Sequence, residues 1–387
     1  GSKQMNALLS QFLKKNYPSG KADLMTAFMV RAQELTVPHG TWAMINLPSW
    51  MALKSFEDLR QELLGTHRIV SMVHLGRGVF GSDFGTVAFV VDNCPSRSQR
   101  GVYRRLFEQH VDVRSVSAIE SLFLDPTYNR FEVPQTDFAT VPGSPIVYWL
   151  SEKMRRSFDV GSPLREIASL RQGLATADNN RFLRQWWEVS STRTAFACTS
   201  REEAAANGAR WFPYNKGGEF RKWYGNQEFV VNWENDGKEI RAFGTEEGGR
   251  PRSRAQNTET YFSPSVSWSK VSSGAPAFRD YPPGFIFDVA GTSIFVPSQR
   301  DRSVIIAFAN SQVAYRQLAA VAPTLNFEVG QVAGLPIVRD TPDEVIVRVS
   351  ALIDHSREDW DTFESSWGFS RNPLVRLTRE EMEHTVL

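Results

Sequence analysis

Residues 40–93 decide the fold, because three apolar runs in this stretch alternate with a helical run and a glycine-rich turn. The runs are "GTWAMINLPSW" (40–50), "RIVSMVHLG" (68–76) and "GTVAFVVDN" (85–93). Their β-branched and aromatic content is typical of buried strands. Between the first two runs, "SFEDLRQELLG" (55–65) predicts a helix that Ser55 caps and Gly65 ends. Strand, helix, strand, loop, strand is the order of half an α/β sheet, whose last two strands can pair as a hairpin.

Further helices flank this half-sheet in the sequence. On its amino-terminal side, "KADLMTAFMVRAQEL" (21–35) places apolar residues at helical spacing. On the other side, "PGSPIVYWLSEKMRRSF" (142–158) puts Ile146, Trp149 and Met154 on one helical face, which predicts a connector helix. The residues in between, which begin with "SQRGVYRRLFEQH", are interpreted as a connector.

The pattern changes at about Gly161. Four short apolar runs are "EFVVNWE" (228–234), "SVSWSKV" (265–271), "GFIFDV" (284–289) and "SIFVP" (293–297). Because Gly, Pro, Asn and Ser separate them, they predict a β-rich domain. The run "SVIIAFANSQVAYRQLAAVAP" (303–323) predicts a closing helix, and Thr341 with Glu344 predicts a capped helix start. The expected segments are an α/β domain at 1–142, a connector helix at 143–160, a β-rich domain at 161–340 and a helical region at 341–387.

Composition and charge exclude several classes of protein. The 387 residues carry a net charge of +1, with 41% hydrophobic and 22% charged residues, as in ordinary soluble globular proteins. No apolar run approaches the roughly 18 residues of a membrane helix, and the start of the chain has no hydrophobic signal core. Cys94 and Cys198 lie in no metal-ligand spacing and favour a reducing cytoplasm. We therefore expect a cytoplasmic location, no metal site and no membrane contact.

Seven stretches occur in a fixed order along the chain. They are "KADLMTAFMVRAQEL" (21–35), "GTWAMINLPSWMALKSFEDLRQELL" (40–64), "GRGVFGSDFGTVAFVV" (76–91), "VPGSPIVYWLSEK" (141–153), "LRQGLATADNNRFLRQWWEV" (170–189), "WFPYNKGGEFRKWYGN" (211–226) and "YFSPSVSWSKVSSG" (261–274). Together they resemble the adenine-specific DNA methyltransferases of the BREX phage-defence system (the PglX type), relatives of the fused type IIG restriction–modification enzymes. The resemblance covers nearly the whole chain. It implies the second half of a Rossmann-like methyltransferase sheet (α/β), then an α+β, β-rich target-recognition domain and a C-terminal helical segment.

The resemblance also decides how the segment Asp125-Pro126-Thr127-Tyr128 is interpreted. It looks like the Asp/Asn-Pro-Pro-Tyr loop with which such enzymes grip a flipped-out base, but its second proline is missing. In the family that loop precedes the helix matched by residues 22–35, and the cofactor-binding strands come earlier still. We therefore expect no catalytic residue in this chain and no cofactor bound to this chain alone. The resemblance implies that S-adenosylmethionine binds the parent enzyme, through a missing amino-terminal half.

An aromatic residue in the turn before the last hairpin strand stacks on the flipped adenine in family members. The matching segment here is "GRGVFGSDFGTVAF" (76–89), in which Phe80 is the first candidate and Phe84 the second. The alternative is a core phenylalanine under a tight turn. Trp50, at the wall of the same pocket, is interpreted as a core residue.

The strongest sign of a recognition domain is "GLATADNNRF" (173–182), which resembles the opening of such domains with Ala177 in place of a second glycine. Gly173 would let the backbone approach DNA closely. The candidates for contact with phosphates or base edges are Arg171, Asn179, Asn180 and Arg181. The alternative is that Asp178 and Asn179 build a turn and cap the following helix.

Two further runs carry cations suited to phosphate. The Lys-Gly-Gly turn in "WFPYNKGGEFRKWYGN" offers backbone amides and an ammonium group. The candidate cations are Lys216, Arg221 and Lys222 in this run, and Arg250, Arg252 and Arg254 in the loop "GGRPRSRAQN" (248–257). Each phosphate contact would add to the salt dependence of binding. The alternative for both runs is a solvated surface.

With the resemblance, these residues predict the recognition portion of a site-specific DNA N6-adenine methyltransferase that marks host DNA in phage defence. The expected partners are double-stranded DNA, the missing amino-terminal half and other defence proteins. The alternatives are a DNA-reading module without catalysis and a protein-interaction module of a defence complex. Salt-dependent duplex binding separates the first two functions from the third, and methylation by the completed enzyme separates the first from the second.

Overall fold

The computed structural model describes most of the chain. The described ranges are 4–80, 85–95, 100–108, 113–245, 248–272, 274–322, 326–338 and 340–375. The chain divides into two compact units, Gly1–Gly161 with Ala319–Pro323 and Ser162–Leu318 with Thr324–Leu387. We call them unit 1 and unit 2.

Helices and strands alternate along the described chain. The helices are α1 Ala7–Asn16, α2 Leu24–Leu35, α3 Glu57–Thr66, α4 Val116–Leu124, α5 Glu152–Val160, α6 Asn179–Phe182, α7 Arg201–Ala206, α8 Glu234–Ala242, α9 Gln299–Ala309, α10 Gln312–Val321, α11 Val329–Ala333 and α12 Asp343–Trp360. The strands are β1 Thr41–Asn46, β2 Arg68–Arg77, β3 Gly85–Asp92, β4 Arg100–Arg105, β5 Arg130–Pro134, β6 Ser162–Pro163, β7 Ser169–Arg171, β8 Leu183–Gln185, β9 Trp211–Asn215, β10 Phe229–Asn232, β11 Ser265–Ser269, β12 Phe278–Tyr281, β13 Ile286–Phe287, β14 Gly291–Phe295 and β15 Pro336–Ile337.

Unit 1 is built on a five-stranded sheet in the order β1-β3-β2-β4-β5. Strand β3 runs antiparallel to both β1 and β2, whereas β2 and β4 are parallel. The predicted hairpin of β2 and β3 is therefore confirmed. Because β1, β2 and β4 run in the same direction, their carboxyl ends meet at one end of the sheet, which we call the carboxyl end.

The stretch that follows β3 is not a connector, and that interpretation is wrong. It forms β4, α4 and β5, and β5 pairs with β4. Tyr103 and Val133 bring both strands into the core of unit 1. The arginines of "RGVYRR" do not have the apolar pattern of a buried strand. Arg104 is nevertheless buried, because it donates to the carbonyls of Leu122 and Phe123, each at 2.9 Å.

The first two predicted helices of unit 1 form, with one correction. The helix predicted over 21–35 is confirmed as α2, and the carboxylate of Asp23 caps it by accepting from the backbone N–H of Met25 at 3.1 Å. The helix α3 also forms, but Ser55 lies in a 3₁₀ turn before it and is not its cap. Gly65 does not end α3, because the helix continues one residue beyond it.

Three later helices also differ from their predictions. Residues 145–150 are not helical, and α5 begins after Ser151, whose hydroxyl caps it. The single helix predicted over 303–323 is split at Asn310, whose side chain bonds the backbone of Phe278. Thr341 does not cap α12, which begins two residues later. At Ser151 and Asn310 polar contacts mark the boundary, which apolar spacing cannot show.

Unit 2 contains two four-stranded sheets and one two-stranded sheet. Their orders are β13-β9-β10-β8, β12-β11-β14-β7 and β15-β6. The paired strands are antiparallel except β13 and β9, which are parallel. The four predicted runs are confirmed as β10, β11, β13 and β14. A buried aromatic cluster that includes Phe182, Trp233, Phe262 and Phe287 forms the core against which the first of these sheets packs.

Several sequence-based expectations concern single side chains. Trp50 is fully buried in the core of unit 1, as predicted. Cys94 and Cys198 are free thiols. Among the described residues, no group of three or more His, Cys, Asp or Glu side chains could hold a metal ion. None of the described helices is long and apolar enough to cross a membrane.

Candidate nucleic-acid interface

Gly173 makes its close approach to strand β13. A Cβ atom at this position would lie 1.8 Å from the carbonyl oxygen of Phe287 and 2.6 Å from its carbonyl carbon. The next residue, Leu174, donates its N–H to the same oxygen at 2.8 Å. Gly173 is buried, so the expectation that it brings the backbone close to DNA is wrong. The glycine is needed because β13 packs against it.

The residues that follow β7 form a turn and a short helix. Ala177 has a φ of +61°, in the left-handed region that residues other than glycine rarely adopt. Asp178 caps α6, since its carboxylate accepts from the backbone N–H of Arg181 at 3.0 Å. The capping alternative is confirmed for Asp178, whereas Asn179 accepts from the hydroxyl of Thr176. The left-handed backbone explains why the resembling domains carry glycine where this chain has Ala177.

The variant Ala177→Gly is expected to raise the free energy of unfolding by about 1 kcal/mol, because glycine adopts this backbone without a Cβ clash. Denaturant titration followed by tryptophan fluorescence measures the change. The control is Ala175→Gly, two residues earlier and without a positive φ, which is expected to destabilise the protein. Shifts of the same sign in the two variants would contradict the argument.

The arginine loop lies alongside this turn. Arg254 exchanges two backbone hydrogen bonds of 2.9 Å with Ala175, and the hydroxyl of Ser253 donates to the carbonyl of Thr176 at 2.8 Å. The loop is thereby fixed next to α6, although the two segments lie far apart in the sequence. We call Asn179, Asn180, Arg181, Arg252 and Arg254 the recognition face.

The recognition face is rich in guanidinium groups. Those of Arg181 and Arg252 lie over the ring of Phe243, at 5.1 and 5.9 Å from its centroid. Arg181 pairs with Glu239 at 3.0 Å, but both side chains are 43% exposed, so the pair is weak. Within the described part of the chain, Arg252 and Arg254 form no ion pair. The face therefore offers donors in a geometry suited to phosphates and base edges.

Lys216 belongs to a buried polar network and does not form an open phosphate clamp. Its Nζ lies 2.7 Å from Oδ2 of Asp288, whose side chain is 3% exposed. The hydroxyl of Tyr214 donates to the same oxygen at 2.7 Å. Burial, and then the charge of Asp288, raises the pKa of Tyr214 well above its usual value. Lys216 is thus the counter-ion of a buried carboxylate, and its contact with DNA stays a prediction.

Arg221 and Lys222 are also held by contacts within unit 2. The guanidinium of Arg221 pairs with Asp359 at 2.7 Å and lies over the ring of Trp360, at the end of α12. The ammonium of Lys222 donates to the carbonyl of Asn310 at 2.9 Å, just beyond α9. Both cations fasten neighbouring helices, so the structure does not support their expected role in a phosphate clamp.

Two other predicted cations lie outside the recognition face. Arg171, the last residue of β7, is exposed and lines a cavity of about 880 Å³ together with Arg165. Arg250 is exposed in the arginine loop. Neither side chain is ion-paired among the described residues, and contact of either with DNA stays a prediction.

In unit 1, Phe80 lies in the turn after β2 and is 65% exposed. The core alternative for Phe80 is therefore wrong, and its stacking on a base stays a prediction. Phe84 lies outside the described residues. Asp125 has a structural role, because its carboxylate accepts from the backbone N–H and the hydroxyl of Thr127, at 2.9 and 2.7 Å.

Helix α8 contains a strained turn that was not predicted from the sequence. Asn235, Asp236 and Gly237 have φ values of +51°, +59° and +72° in succession. The turn is held by Arg201, whose Nε donates to Asp236 at 2.6 Å. A cavity of about 360 Å³ beside it has a polar lining that includes Arg181, Asn232, Asn235, Lys238 and Glu239. The sequence Asn-Asp-Gly could have predicted this turn, because these residue types tolerate a left-handed backbone.

Comparison with known proteins finds similarity to methyltransferases along the chain. A family model described as Eco57I restriction-modification methylase matches residues 1–80. The adenine-specific methyltransferase PglX of Lacticaseibacillus casei (strain Zhang) is 38% identical over 381 residues, which cover 97% of this chain and 31% of that protein. The adenine-specific methyltransferase BrxX of Escherichia coli O9:H4 (strain HS) is 34% identical over 386 residues, which cover 97% of this chain and 30% of that protein. The chain spans about 30% of the length of these curated relatives.

The fold also has a counterpart among solved structures. The Type IIL restriction-modification enzyme MmeI, solved in complex with DNA, matches 99% of this chain over 51% of its own. The TM-score is 0.54 at 11% sequence identity. The two chains therefore share the fold, although few side chains are the same.

Proposed function

We propose that this chain, which is 38% and 34% identical to the adenine-specific methyltransferases PglX and BrxX, is the DNA-recognition portion of a site-specific DNA N6-adenine methyltransferase. The parent enzyme would mark host DNA in defence against phage. The observation that carries the proposal is the similarity over nearly the whole chain to proteins of that activity. The recognition face supports it, because it brings three arginines and two asparagines together from two distant segments.

The methyl donor S-adenosylmethionine would bind the parent enzyme outside the described residues of unit 1. In dinucleotide-binding folds, glycines let the cofactor approach the backbone closely. At Gly78, an added Cβ would lie 2.1 Å from the carbonyl oxygen of Arg114. At Gly101, it would lie 2.6 Å from the carbonyl oxygen of Ile69. Both glycines pack on the chain itself, so we assign donor binding to the rest of the parent protein and no step of methyl transfer to this chain.

The chain would contribute DNA binding and one wall of the base pocket. A base that is methylated on its ring amine must leave the duplex, and an aromatic face compensates for the stacking it loses. Phe80 suits this role, because its side chain is exposed at the carboxyl end of the sheet. Phosphate and base contacts would come from the recognition face of unit 2.

The rest of the parent catalytic domain would cover an apolar surface on unit 1. Strand β1 is at one edge of the described sheet, and Ile45 on it is 53% exposed. On α2, Leu24, Phe28 and Leu35 are also exposed. An unpaired strand edge beside apolar side chains is unfavourable in water. We propose this surface as the docking site of the amino-terminal half, and other defence proteins as further partners of the assembled enzyme.

Binding to a labelled duplex across a chloride series tests the proposed function. Wild-type affinity is expected to fall steeply with salt, because bound phosphates release counterions. The double variant Arg252→Gln/Arg254→Gln is expected to lower the log–log slope by about 1.8, which is about 0.9 for each lost phosphate contact. Fluorescence anisotropy between about 50 and 300 mM chloride measures the slope in the range where such contacts are visible.

The matched control removes the same two charges from exposed helix positions, as Arg316→Gln/Arg348→Gln. It is expected to keep the wild-type slope. If folded wild-type protein binds duplex without salt dependence, or not at all, the DNA-recognition function is wrong. If both double variants lose slope equally, the recognition face has been assigned to the wrong residues.

A further inference from the structure

The carboxyl end of the sheet in unit 1 carries three polar residues in one row. Asn46 of β1 and His74 of β2 are both aligned with Val87 of β3, on either side of it. His74 is in turn aligned with Arg105, the last residue of β4. Since directly paired residues point to the same face of a sheet, the three side chains lie on one face. None of them was a candidate in the sequence.

The polar groups of this row lack partners among the described residues. His74 is 9% exposed, and neither of its ring nitrogens is hydrogen-bonded. The amide nitrogen of Asn46 and the Nε of Arg105 are also buried without a partner. Nearly all buried polar groups in native proteins are paired. A further polar partner in this row would offset the cost of leaving these groups unpaired.

The guanidinium of Arg105 lies close to two aromatic rings. Its guanidinium carbon lies 5.4 Å from the ring centroid of Phe107 and 5.6 Å from that of Trp149. His74 meets the ring of Phe107 edge to face at 4.8 Å. Both rings lie within cation–π distance of the guanidinium, and Arg105 forms no ion pair within the described residues. Such a fork matches the two oxygens of one phosphate.

The charge balance of the row also favours an anion. Burial, and then the charge of Arg105, lowers the pKa of His74 to about 4, so this imidazole is neutral near pH 7. Burial lowers the pKa of Arg105, but this guanidinium stays charged near pH 7. The charge of Glu108 raises the pKa of Arg105, but the two form no ion pair among the described residues, so a bound anion would further offset the desolvation cost of this half-buried cation.

We propose that Arg105 binds one backbone phosphate of DNA at the carboxyl end of the sheet, with Asn46 and His74 lining the same site. The inference rests on the proposed function and adds a phosphate contact in unit 1, apart from the recognition face of unit 2. Ligands of open α/β sheets bind beyond the carboxyl ends of the strands. Phe80 follows β2 at this same end, so the phosphate would belong to a nucleotide close to the flipped base.

The experiment compares wild type with Arg105→Gln in the duplex-binding assay described above. Arg105→Gln is expected to bind about tenfold more weakly, as for the loss of one charge-assisted hydrogen-bonded contact. Its log–log salt slope is expected to be shallower by about 0.9. The matched control is Arg100→Gln, at the other end of the same strand, where the side chain is exposed and donates to the carbonyl of Glu132. Arg100→Gln is expected to keep wild-type affinity and slope.

Thermal unfolding shows whether each variant is folded. If Arg105→Gln does not fold, Arg105→Lys replaces it; this variant keeps the charge, so it is expected to keep the slope and lose the affinity that depends on the planar fork. A folded Arg105→Gln with wild-type affinity and slope would overturn the inference while leaving the proposed function intact. Absence of salt-dependent binding by wild type would instead remove the proposed function.

A second arm separates DNA from free phosphate as the occupant. Inorganic phosphate replaces chloride at matched ionic strength. If wild type and Arg105→Gln keep their difference in affinity for DNA, the site binds the DNA backbone. If the difference disappears, the site takes free phosphate, and its assignment to DNA is wrong.

Discussion

Gly173→Ala is expected to lower the free energy of unfolding by about 4 kcal/mol or more, which places it among the most destabilising single substitutions. The new Cβ would lie 1.8 Å from the carbonyl oxygen of Phe287. That atom belongs to the backbone and cannot rotate away. The oxygen also accepts the N–H of Leu174 at 2.8 Å. Relief of the clash therefore requires β13 to move and this hydrogen bond to break.

Movement of β13 would spread into the core of unit 2. The strand pairs with β9 through Tyr214 and Asn215, and Phe287 packs in the aromatic cluster. Denaturant unfolding followed by tryptophan fluorescence measures the loss. Because Gly173 is buried, the expected loss does not depend on whether DNA is present.

Gly330→Ala is the matched control for this substitution. Gly330 lies in α11, and an added Cβ would meet no other atom within 4 Å. Alanine there is expected to stabilise the helix by about 0.5–1 kcal/mol, because glycine disfavours helical backbone. The same chemical change is thus expected to have opposite signs at the two positions. A Gly173→Ala protein of wild-type stability would show that β13 does not pack as described.

The sequence predicted the strands of unit 1 wherever apolar residues alternate without interruption. Strands β1, β2 and β3 and the hairpin were accessible in this way. Strand β4 was not, since Arg104 is buried by donating to the carbonyls of Leu122 and Phe123. When a charged residue is buried by hydrogen bonds to distant backbone groups, the sequence around it does not indicate that it is buried. The same limit applies to Asn310, whose bonds to β12 end α9.

In the candidate site, too, local features could be predicted from the sequence and contacts between distant segments could not. Residue type and local spacing predicted the cap Asp178 and the arginines of the recognition face, because turns and exposed loops are local features. Gly173 was recognised as a position of close backbone approach, but its neighbour β13 is distant in sequence. The row that ends in Arg105 was missed entirely, because it exists only when three strands are in register.

Lys216 shows how the structure gives a residue a contact that its sequence pattern does not predict. A lysine before two glycines suits a phosphate, and the geometry of the turn is present, with φ values of +83° and +125° at Gly217 and Gly218. The ammonium nevertheless lies 2.7 Å from Asp288. Asp288 also accepts from Tyr214 and, through its other oxygen, from the N–H of Ala290. With these contacts, the carboxylate of Asp288 stabilises the fold of unit 2.

Lys216→Met is accordingly expected to lower the free energy of unfolding by about 3–5 kcal/mol, the usual cost of leaving a buried charge without its partner. Asp288 is 3% exposed, so water cannot replace the ammonium. Denaturant unfolding measures the loss. Lys238→Met, an exposed lysine on α8, is the control and is expected to change stability by less than about 0.5 kcal/mol.

The double variant Lys216→Met/Asp288→Asn separates a buried pair from an unrelated packing effect. When both charges are removed together, no uncompensated charge remains, so the double variant is expected to be more stable than the sum of the single losses implies. The coupling would be about 1–3 kcal/mol for groups in direct contact. If Lys216 instead binds phosphate, Lys216→Met would keep wild-type stability and lower the salt slope of DNA binding by about 0.9. The two roles thus predict different results in two independent measurements, because stability reports the pairing with Asp288 and the salt slope reports a phosphate contact.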